Sequence, residues 1–236
     1  MQAKTQTCRW HRYANPDELS QDAAQRILQS ARYAIGIKGR FSIVLAGGGT
    51  PRKVYALLRA ADTLWGTSTD WSRWQVYFGD ERCLPPDHPE RNSRMAADAW
   101  LDHVAIPPAQ IHPIPAELGA QRGAAAYAKI IAGLADEDYD LVLLGLGEDG
   151  HTASLFPGHE WGAAPGSPPV LAVQDAPKPP PQRVSLGAAR LSRARVVLFL
   201  VSGTGKRQAL ADWQAGKHIP ALAIAPSGGV DVLVAP

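Results

Sequence analysis

Four short segments of this 236-residue chain combine glycines with charged or hydroxyl side chains, as ligand-binding loops often do. They are residues 46–51, 79–94, 145–158 and 202–206. In the first segment, Gly47, Gly48 and Gly49 allow backbone N–H groups to approach an anion, and Thr50 can add a hydroxyl donor. The pattern predicts a phosphate site, and a tight turn that binds no ligand is the alternative.

His151 follows Glu148, Asp149 and Gly150, which is a suitable setting for a general base held by a neighbouring carboxylate. A histidine with only a structural role is the alternative. The chain contains no G-x-S-x-G segment, which argues against a serine hydrolase. His159 stands eight residues beyond His151 with a proline between them, so the two lack the spacing of a helical zinc pair. We therefore predict acid–base chemistry without a metal.

Two nucleotide-binding motifs are excluded by their details. Residues 145–150 fit the G-x-G-x-x-G pattern, but the two carboxylates between the glycines would stand where a pyrophosphate must bind. Residues 202–206 lack the first glycine of a P-loop, and Arg207 replaces its Ser or Thr. Neither segment predicts a nucleotide cofactor.

The other segments supply cations and an amide. Arg82 could bind an anion through parallel hydrogen bonds, although residues 80–82 could equally form a solvated turn with local salt bridges. Asn92 and Arg94 could cap the following helix or face the same site. Lys206 could act as a point charge for a phosphate or remain solvated. All four side chains are candidate ligand contacts.

The spacing of apolar residues indicates the elements that must position these segments. Asn15 and Pro16 predict the start of a long helix, because apolar residues then recur along one helical face. Thr50 and Pro51 predict the start of a second helix that ends near Ala61. Further helices are predicted at 93–104, 119–135 and 205–215, strands at 41–46, 74–78, 140–144 and 196–201, and weaker strands at 170–173, 221–224 and 230–234.

Most of these strands are apolar on both faces, a pattern typical of parallel sheets that are covered by helices on both sides. We therefore predict a single α/β domain over residues 1–236, with a doubly wound, mostly parallel, Rossmann-like sheet and helices on both faces. Seven prolines within 162–182 predict an irregular surface excursion with a short strand inside it. Ligands in such folds bind beyond the carboxyl ends of the strands, where all four segments fall.

Composition limits the partners of the chain. It has 24 Lys and Arg against 22 Asp and Glu, a formal net charge of +2, which leaves no basic excess for nucleic acid or an anionic membrane. Its two cysteines cannot form a disulfide framework, which suits a reducing compartment. No apolar run approaches the roughly 18 residues that cross a bilayer. We expect a cytoplasmic protein without a targeting segment or a membrane span.

These segments resemble those of one family. Residues 45–51, 79–82 and, above all, 145–158, which read Gly-Leu-Gly-Glu-Asp-Gly-His-Thr-Ala-Ser-Leu-Phe-Pro-Gly, are similar to the 6-phosphogluconolactonases of the glucosamine-6-phosphate isomerase/6-phosphogluconolactonase family. The resemblance covers nearly the whole chain. It implies hydrolysis of 6-phospho-D-glucono-1,5-lactone to 6-phosphogluconate in the oxidative pentose phosphate pathway, with no redox cofactor and no required metal. The implied partner is this sugar-phosphate lactone, and we expect a monomer or a weak homodimer.

The resemblance also implies roles for the candidate residues. His151 would take a proton from the attacking water, and Asp149 would orient the imidazole. The implied substrate and phosphate contacts are Gly47, Gly48, Thr50, Arg82 and Lys206, with Asn92 and Arg94 as further candidates. The sequence departs from the family pattern at residues 91–93, where an extra cation precedes the asparagine and a serine replaces an aromatic residue. It also departs at Gly49, where a side chain is common.

Two other functions match parts of the sequence. A glucosamine-6-phosphate deaminase has similar glycine and histidine loops, but its histidine segment usually continues with a motif that includes a glutamate, which residues 152–158 lack. A non-catalytic sugar-phosphate sensor would need a DNA-binding helix-turn-helix module, and only 40 residues precede the first predicted strand. Ammonia release would support the first function, and ligand binding with unaltered lactone decay would support the second.

Overall fold

The computed structural model describes residues 6–66, 68–134, 137–164 and 166–236. Within these ranges the chain forms ten β-strands and seven α-helices. The strands are β1 (Cys8–Arg12), β2 (Phe41–Leu45), β3 (Trp74–Phe78), β4 (Asp80–Arg82), β5 (Ile111–His112), β6 (Tyr139–Gly145), β7 (Val170–Val173), β8 (Arg183–Leu186), β9 (Ala194–Ser202) and β10 (Val230–Ala235). The helices are α1 (Pro16–Lys38), α2 (Gly49–Arg59), α3 (Ala61–Trp65), α4 (Asn92–Ala99), α5 (Ala120–Ile131), α6 (Ala188–Leu191) and α7 (Arg207–Gln214).

Seven strands form one sheet in the order β1-β10-β9-β6-β2-β3-β5, and every pairing in it is parallel. From β2 the chain moves through β3 to β5 at one edge, whereas from β6 it moves through β9 to β10 towards the other. The strand order therefore reverses between β2 and β6. Doubly wound sheets bind ligands in the crevice at such a switch point.

The central strands are buried on both faces. Every residue of β2 is buried, and only the last residue of β6 is partly accessible. Because successive side chains of a strand point to opposite faces, both faces of the sheet must be covered. Helix α1 packs against β2, β6, β9 and β10, and against α2. The predicted α/β domain with a helix-covered parallel sheet is confirmed.

The first helix begins as the sequence predicts. The side-chain oxygen of Asn15 accepts hydrogen bonds from the N–H groups of Asp17 and Glu18, and Pro16 occupies the first helical position. Gly39 ends the helix in the left-handed conformation, with a φ of 75°. The apolar residues of α1 that face the sheet are buried, and burial of each large aliphatic side chain contributes about 1.5–3 kcal/mol.

A second sheet lies beside the first. Its strands lie in the order β4-β8-β7, and both pairings are antiparallel. Strand β4 lies at one edge of this small sheet and follows β3 directly in the chain. The predicted strand inside the proline-rich excursion is β7, whereas Pro165 of that excursion lies outside the described residues. The alternative of a solvated turn at residues 80–82 is wrong, because Asp80 and Glu81 are buried in β4.

Several predicted elements are corrected. Residues Pro220–Ala223 form a 3₁₀ helix rather than a strand, and the Ala221 N–H donates to the carbonyl of Gly150 at 3.3 Å. This segment supports the loop after β6 instead of joining the sheet. The helix predicted at 93–104 ends at Ala99 and is followed by a short 3₁₀ helix. The helix predicted at 119–135 ends at Ile131, and residue 135 lies outside the described residues.

Strands β1, β4, β5 and β8 were not predicted. Two of them, β1 and β5, are edge strands of the large sheet, and β5 has only two residues. Short or polar strands carry little apolar periodicity, so their sequences give no clear signal. In the described ranges, none of the helices is long and apolar enough to span a bilayer.

Candidate active site

All four predicted segments border one open cavity of about 420 Å³ beyond the carboxyl ends of β9, β6, β2 and β3. This is the switch point of the sheet. The predicted contacts that line the cavity are Gly47, Gly48, Thr50, Arg82, Asn92, His151 and Lys206. The lining also includes polar residues that were not predicted as contacts, namely Asp80, Thr152, Arg183 and Ser202.

Short-range contacts hold His151 and Asp149 together in the loop after β6. Nδ1 of His151 lies 2.5 Å from Oδ1 of Asp149, and the His151 backbone N–H donates to the same oxygen at 3.2 Å. The N–H of Gly147 donates to the carbonyl of His151 at 2.7 Å, which closes the loop. Because a carboxylate only accepts, Nδ1 carries the proton and Nε2 keeps its lone pair. Nε2 is therefore the atom that can take a proton.

The glycines of this loop make room for the histidine. A Cβ at Gly147 would lie 1.9 Å from Nδ1 of His151, so any side chain there would displace the imidazole. Gly150 has a φ of 85°, and a Cβ on it would meet Ile219 at 2.9 Å. The glycines whose spacing resembles a dinucleotide motif are thus required for the position of the His151 imidazole.

Burial and mutual contact set the protonation of the pair. Burial lowers the pKa of His151 below its ordinary value, and the hydrogen bond and charge of Asp149 offset only part of this effect. Burial by itself raises the pKa of Asp149, but the hydrogen bonds and charge of His151 outweigh it and lower that pKa overall. At neutral pH the loop therefore presents a neutral imidazole beside a carboxylate, which is the state a general base requires.

The start of α2 forms a cradle for an anion. Gly48 precedes the helix with a φ of 113°, and no side chain caps the first turn, so its N–H groups remain available. The hydroxyl oxygens of Thr50 and Ser202 lie 2.7 Å apart. Lys206 is half-buried on the same cavity wall and has no ion-pair partner in the described part of the chain. Backbone donors, hydroxyls and an ammonium group are the usual ligands of a phosphate.

Two arginines line the cavity from the small sheet. Arg82 and Arg183 are direct cross-strand partners in β4 and β8. Nη1 of Arg82 donates to the carbonyl of Glu90 at 2.6 Å, whereas its Nε has no hydrogen-bond partner among the residues that the structure describes. Arg183 is buried, which lowers its pKa, and it donates to the backbone carbonyls of Lys178, Pro179 and Pro180. Adjacent like charges repel each other, so a bound anion would stabilise this pair.

The extra cation at residue 91 has a structural partner. Glu81 is fully buried, and its carboxylate accepts hydrogen bonds from the N–H groups of Asn92 at 2.7 Å and Ser93 at 2.8 Å. Nε of Arg91 lies 3.4 Å from Glu81, and Nη1 of Arg91 lies 2.9 Å from Glu117. Arg91 thus neutralises the carboxylate that caps α4, and the cap holds Asn92 at the cavity.

The structure does not bring Arg94 together with the other predicted contacts. It lies on the outer side of α4, where it is partly exposed and pairs with Asp98 one turn further on. It borders a separate groove with Arg91 and Glu117. Residues two positions apart on a helix point in different directions, so Asn92 and Arg94 cannot face the same side.

The other reactive groups of the chain lie elsewhere. Cys8 and Cys83 are free thiols outside the cavity lining, and burial raises the pKa of Cys83 to about 11. Among the residues that the structure describes, no group of three or more His, Cys, Asp or Glu side chains is arranged to hold a metal ion. The histidine–carboxylate pair is thus the best placed acid–base group at the cavity.

Fold and site together define an α/β protein of the doubly wound class, with a glycine loop and a histidine–carboxylate pair at the switch point of its sheet. The sequence profile described as glucosamine-6-phosphate isomerases/6-phosphogluconolactonase matches residues 14–233. The chain belongs to this family, as its motifs indicated.

Individual relatives cover most of the chain. A 6-phosphogluconolactonase of Mycobacterium leprae is 38% identical over 218 residues, which are 88% of this chain and 85% of the relative. One of Synechocystis is 39% identical over 212 residues, 83% of this chain and 82% of the relative. The crystal structure of a 6-phosphogluconolactonase from Thermotoga maritima matches with a TM-score of 0.84 at 25% identity, covering 97% of this chain and 100% of the other.

Proposed function

We propose that this protein hydrolyses 6-phospho-D-glucono-1,5-lactone to 6-phosphogluconate, with His151 as the general base. Its relatives of that name span most of the chain. The observation that carries the mechanism is the Asp149–His151 pair, whose Nε2 is free to accept a proton beside an anion cradle. A lactone carbonyl needs an activated water, and a phosphate at the far end of the substrate supplies binding energy for positioning.

The reaction then requires two proton transfers at His151. Nε2 removes a proton from water as the water oxygen attacks the lactone carbonyl carbon, which gives a tetrahedral oxyanion. When this intermediate collapses, the bond to the ring oxygen breaks, and the imidazolium returns the proton to that oxygen. The product is an open-chain carboxylic acid, which ionises in water. Asp149 keeps Nδ1 protonated and stabilises the imidazolium between the two transfers.

The phosphate of the substrate binds in the cradle at the start of α2. The backbone N–H groups near Gly47 and Gly48, the hydroxyl of Thr50 and the ammonium group of Lys206 are its ligands in this proposal. Ser202, which contacts Thr50, adds a further hydroxyl. Arg82, whose Nε is unpaired within the described part of the chain, supplies positive charge to the phosphate or to the lactone oxygen.

A monomer or a weak homodimer stays a prediction. A phosphorylated substrate does not cross membranes unaided, so we place the protein in the cytoplasm. The proposal needs no redox cofactor, because water attack on an ester transfers no electrons to an acceptor, and it needs no metal, because His151 activates the water.

A direct assay tests this function. The lactone is generated from glucose 6-phosphate, and its disappearance is followed with and without the protein. We expect first-order decay that accelerates in proportion to protein concentration above spontaneous hydrolysis. Decay at the spontaneous rate would contradict the proposal. Ammonia release from glucosamine 6-phosphate, without faster lactone decay, would instead support the deaminase function.

A further inference from the structure

The carboxamide of Asn92 is held in one orientation. Its Nδ2 donates to the backbone carbonyl of Asp80 at 3.0 Å and to Oδ1 of Asp80 at 3.1 Å. Both oxygens are acceptors, so the nitrogen and not the oxygen of the amide must face them. Oδ1 of Asn92 accepts no hydrogen bond within the described ranges, although Asn92 lines the cavity. Asn92 therefore presents a free acceptor to a ligand.

Asp80 is itself an unusual group for the wall of an anion site. Its side chain is buried, with 6% of the residue exposed, and no cation pairs with it in the described part of the chain. The hydroxyl of Ser154 donates to Oδ2 of Asp80 at 2.6 Å. Hydrogen bonds from Asn92 and Ser154 thus hold the two carboxylate oxygens in place. A buried charge is retained only where it is well hydrogen-bonded, which this network achieves.

The backbone of Asn92 is fixed as firmly as its side chain. Glu81 accepts a hydrogen bond from the Asn92 N–H at 2.7 Å. Two consecutive carboxylates of β4 therefore hold Asn92, Glu81 by its backbone and Asp80 by its side chain. Gly47 leaves the space that the amide occupies, since a Cβ there would lie 1.9 Å from Oδ1 of Asn92. Oδ1 of Asn92 therefore lies close to Gly47, and the carboxamide is held in one rotamer.

We propose that Asp80 is a positioning residue that makes Asn92 an acceptor for a ring hydroxyl of the substrate. The β4–α4 wall, defined by Asp80, Glu81 and Asn92, is then a hydroxyl subsite that is distinct from the phosphate cradle. The unpaired Oδ1 of Asn92, backed by Asp80, repels phosphate oxygens and attracts O–H donors, which a polyhydroxylated lactone carries on its ring. This inference rests on the proposed function for the identity of the ring.

Substrate analogues test the subsite. The kcat/KM of the wild-type protein is compared for the full phosphorylated lactone and for analogues that each lack one ring hydroxyl. We expect one analogue to lose about 10- to 100-fold, because a site built around a hydroxyl is left with an unpaired acceptor. Asn92→Ala should be slower with the full substrate but lose less than about 3-fold on removal of that hydroxyl. Equal losses in both proteins for every analogue would overturn the proposal.

The role of Asp80 is tested by the same comparison between the full lactone and its deoxy analogues. Asp80→Ala removes the Oδ1 acceptor and leaves Nδ2 of Asn92 with the backbone carbonyl of residue 80 alone, so the carboxamide can turn and the preference for the hydroxyl should fall several-fold. The matched variant is Ser154→Ala, which removes a hydrogen bond to Asp80 but leaves both bonds from Asn92 in place. It should keep most of the preference. If Ser154→Ala lost the hydroxyl preference while the Asp80 variant kept it, the role of Asp80 would be contradicted.

Binding and unfolding measurements distinguish an effect on the hydroxyl preference from effects on folding and on turnover. Calorimetry with 6-phosphogluconate and its deoxy analogues reports the hydroxyl preference without catalysis, and thermal unfolding shows whether each variant is folded. Retained preference without any lactone hydrolysis would contradict only the proposed function. Normal hydrolysis with no hydroxyl preference in the wild-type protein would contradict only the subsite.

Discussion

The histidine loop, residues 145–151, and the β4–α4 wall border the same cavity but are built differently. In the loop, Asp149 contacts His151 two residues away, and Gly147 contacts it four residues away. In the wall, Asp80 contacts Asn92 at a separation of 12 residues and Ser154 at a separation of 74. One half of the site is therefore local, and the other exists only once the sheet and α4 have assembled.

This difference separates chemistry from recognition. The loop holds the proposed proton acceptor, and small glycines, one carboxylate and a contact from the segment 220–223 position it. The wall holds the proposed acceptor for a ligand hydroxyl, and it needs a capped helix and a buried ion pair between Glu81 and Arg91. Substitutions in the loop should thus change the rate with little loss of stability, whereas substitutions in the wall should reduce both.

His151→Ala should have the largest effect on turnover. Loss of a general base typically lowers the rate by about 10²–10⁴, so kcat for the phosphorylated lactone should fall at least 100-fold. Binding of 6-phosphogluconate should remain, since the phosphate cradle is untouched. His159→Ala is the matched control, because His159 pairs with Asp175 and does not line the cavity. Turnover near that of the wild type, after subtraction of spontaneous hydrolysis, would contradict the role of His151.

Glu81→Gln should have the largest effect on stability. The variant removes the buried carboxylate partner of Arg91, which keeps Glu117 and the backbone carbonyls of Leu84 and Ile114, and it weakens the cap of α4. It is expected to cost about 3–5 kcal/mol of the free energy of unfolding. Glu117→Gln removes the partly exposed partner of the same arginine and should cost about 1 kcal/mol or less. Urea unfolding measures both. Equal losses for the two variants would show that the wall does not depend on the buried pair.

Asp149→Asn should change the pH dependence. The base acts only when neutral, so kcat/KM falls as the pH drops through the pKa of His151. Asp149 raises that pKa against the lowering effect of burial. Without its charge the pKa falls further, and the acidic limb should move to lower pH. The plateau should fall by about 10- to 100-fold, as expected for a charged hydrogen bond of about 1.5–3 kcal/mol. If the acidic limb of kcat/KM stayed at the same pH as in the wild type, this would argue against the Asp149–His151 contact in solution.

Lys206→Ala should have the smallest effect of the four. We expect KM for the phosphorylated lactone to rise by about tenfold, the loss of one charged contact, with little change for an unphosphorylated lactone. Arg94→Ala is the matched control, since this arginine lies outside the cavity in a partly exposed ion pair. It should leave both substrates within about twofold. Equal losses on the two lactones in Lys206→Ala would exclude a phosphate role.

The predictable parts of the fold share one property. Strands β2, β3, β6 and β9 are apolar on both faces, and the start of α1 has a local cap, so neighbouring residues alone reveal them. The segment 221–224 is apolar enough to resemble a strand, but it forms a 3₁₀ helix because it packs under Gly150. Strands β4 and β8 are short, and Asp80 and Glu81 of β4 are buried against partners that are distant in the chain. No local pattern could reveal them.

The sequence by itself determined the Asp149–His151 spacing on which the proposed acid–base chemistry rests, the glycine loops and the parallel sheet that brings the loops to one edge, because each depends on residues close together in the chain. Only the tertiary structure decided that Asp80 and Glu81 are buried, that Asn92 faces the cavity while Arg94 does not, and that Arg183 and Ser202 join the lining. These facts depend on the rotation of α4 and on contacts between segments dozens of residues apart. Such contacts exist only after the two sheets and the helices have packed around a common core.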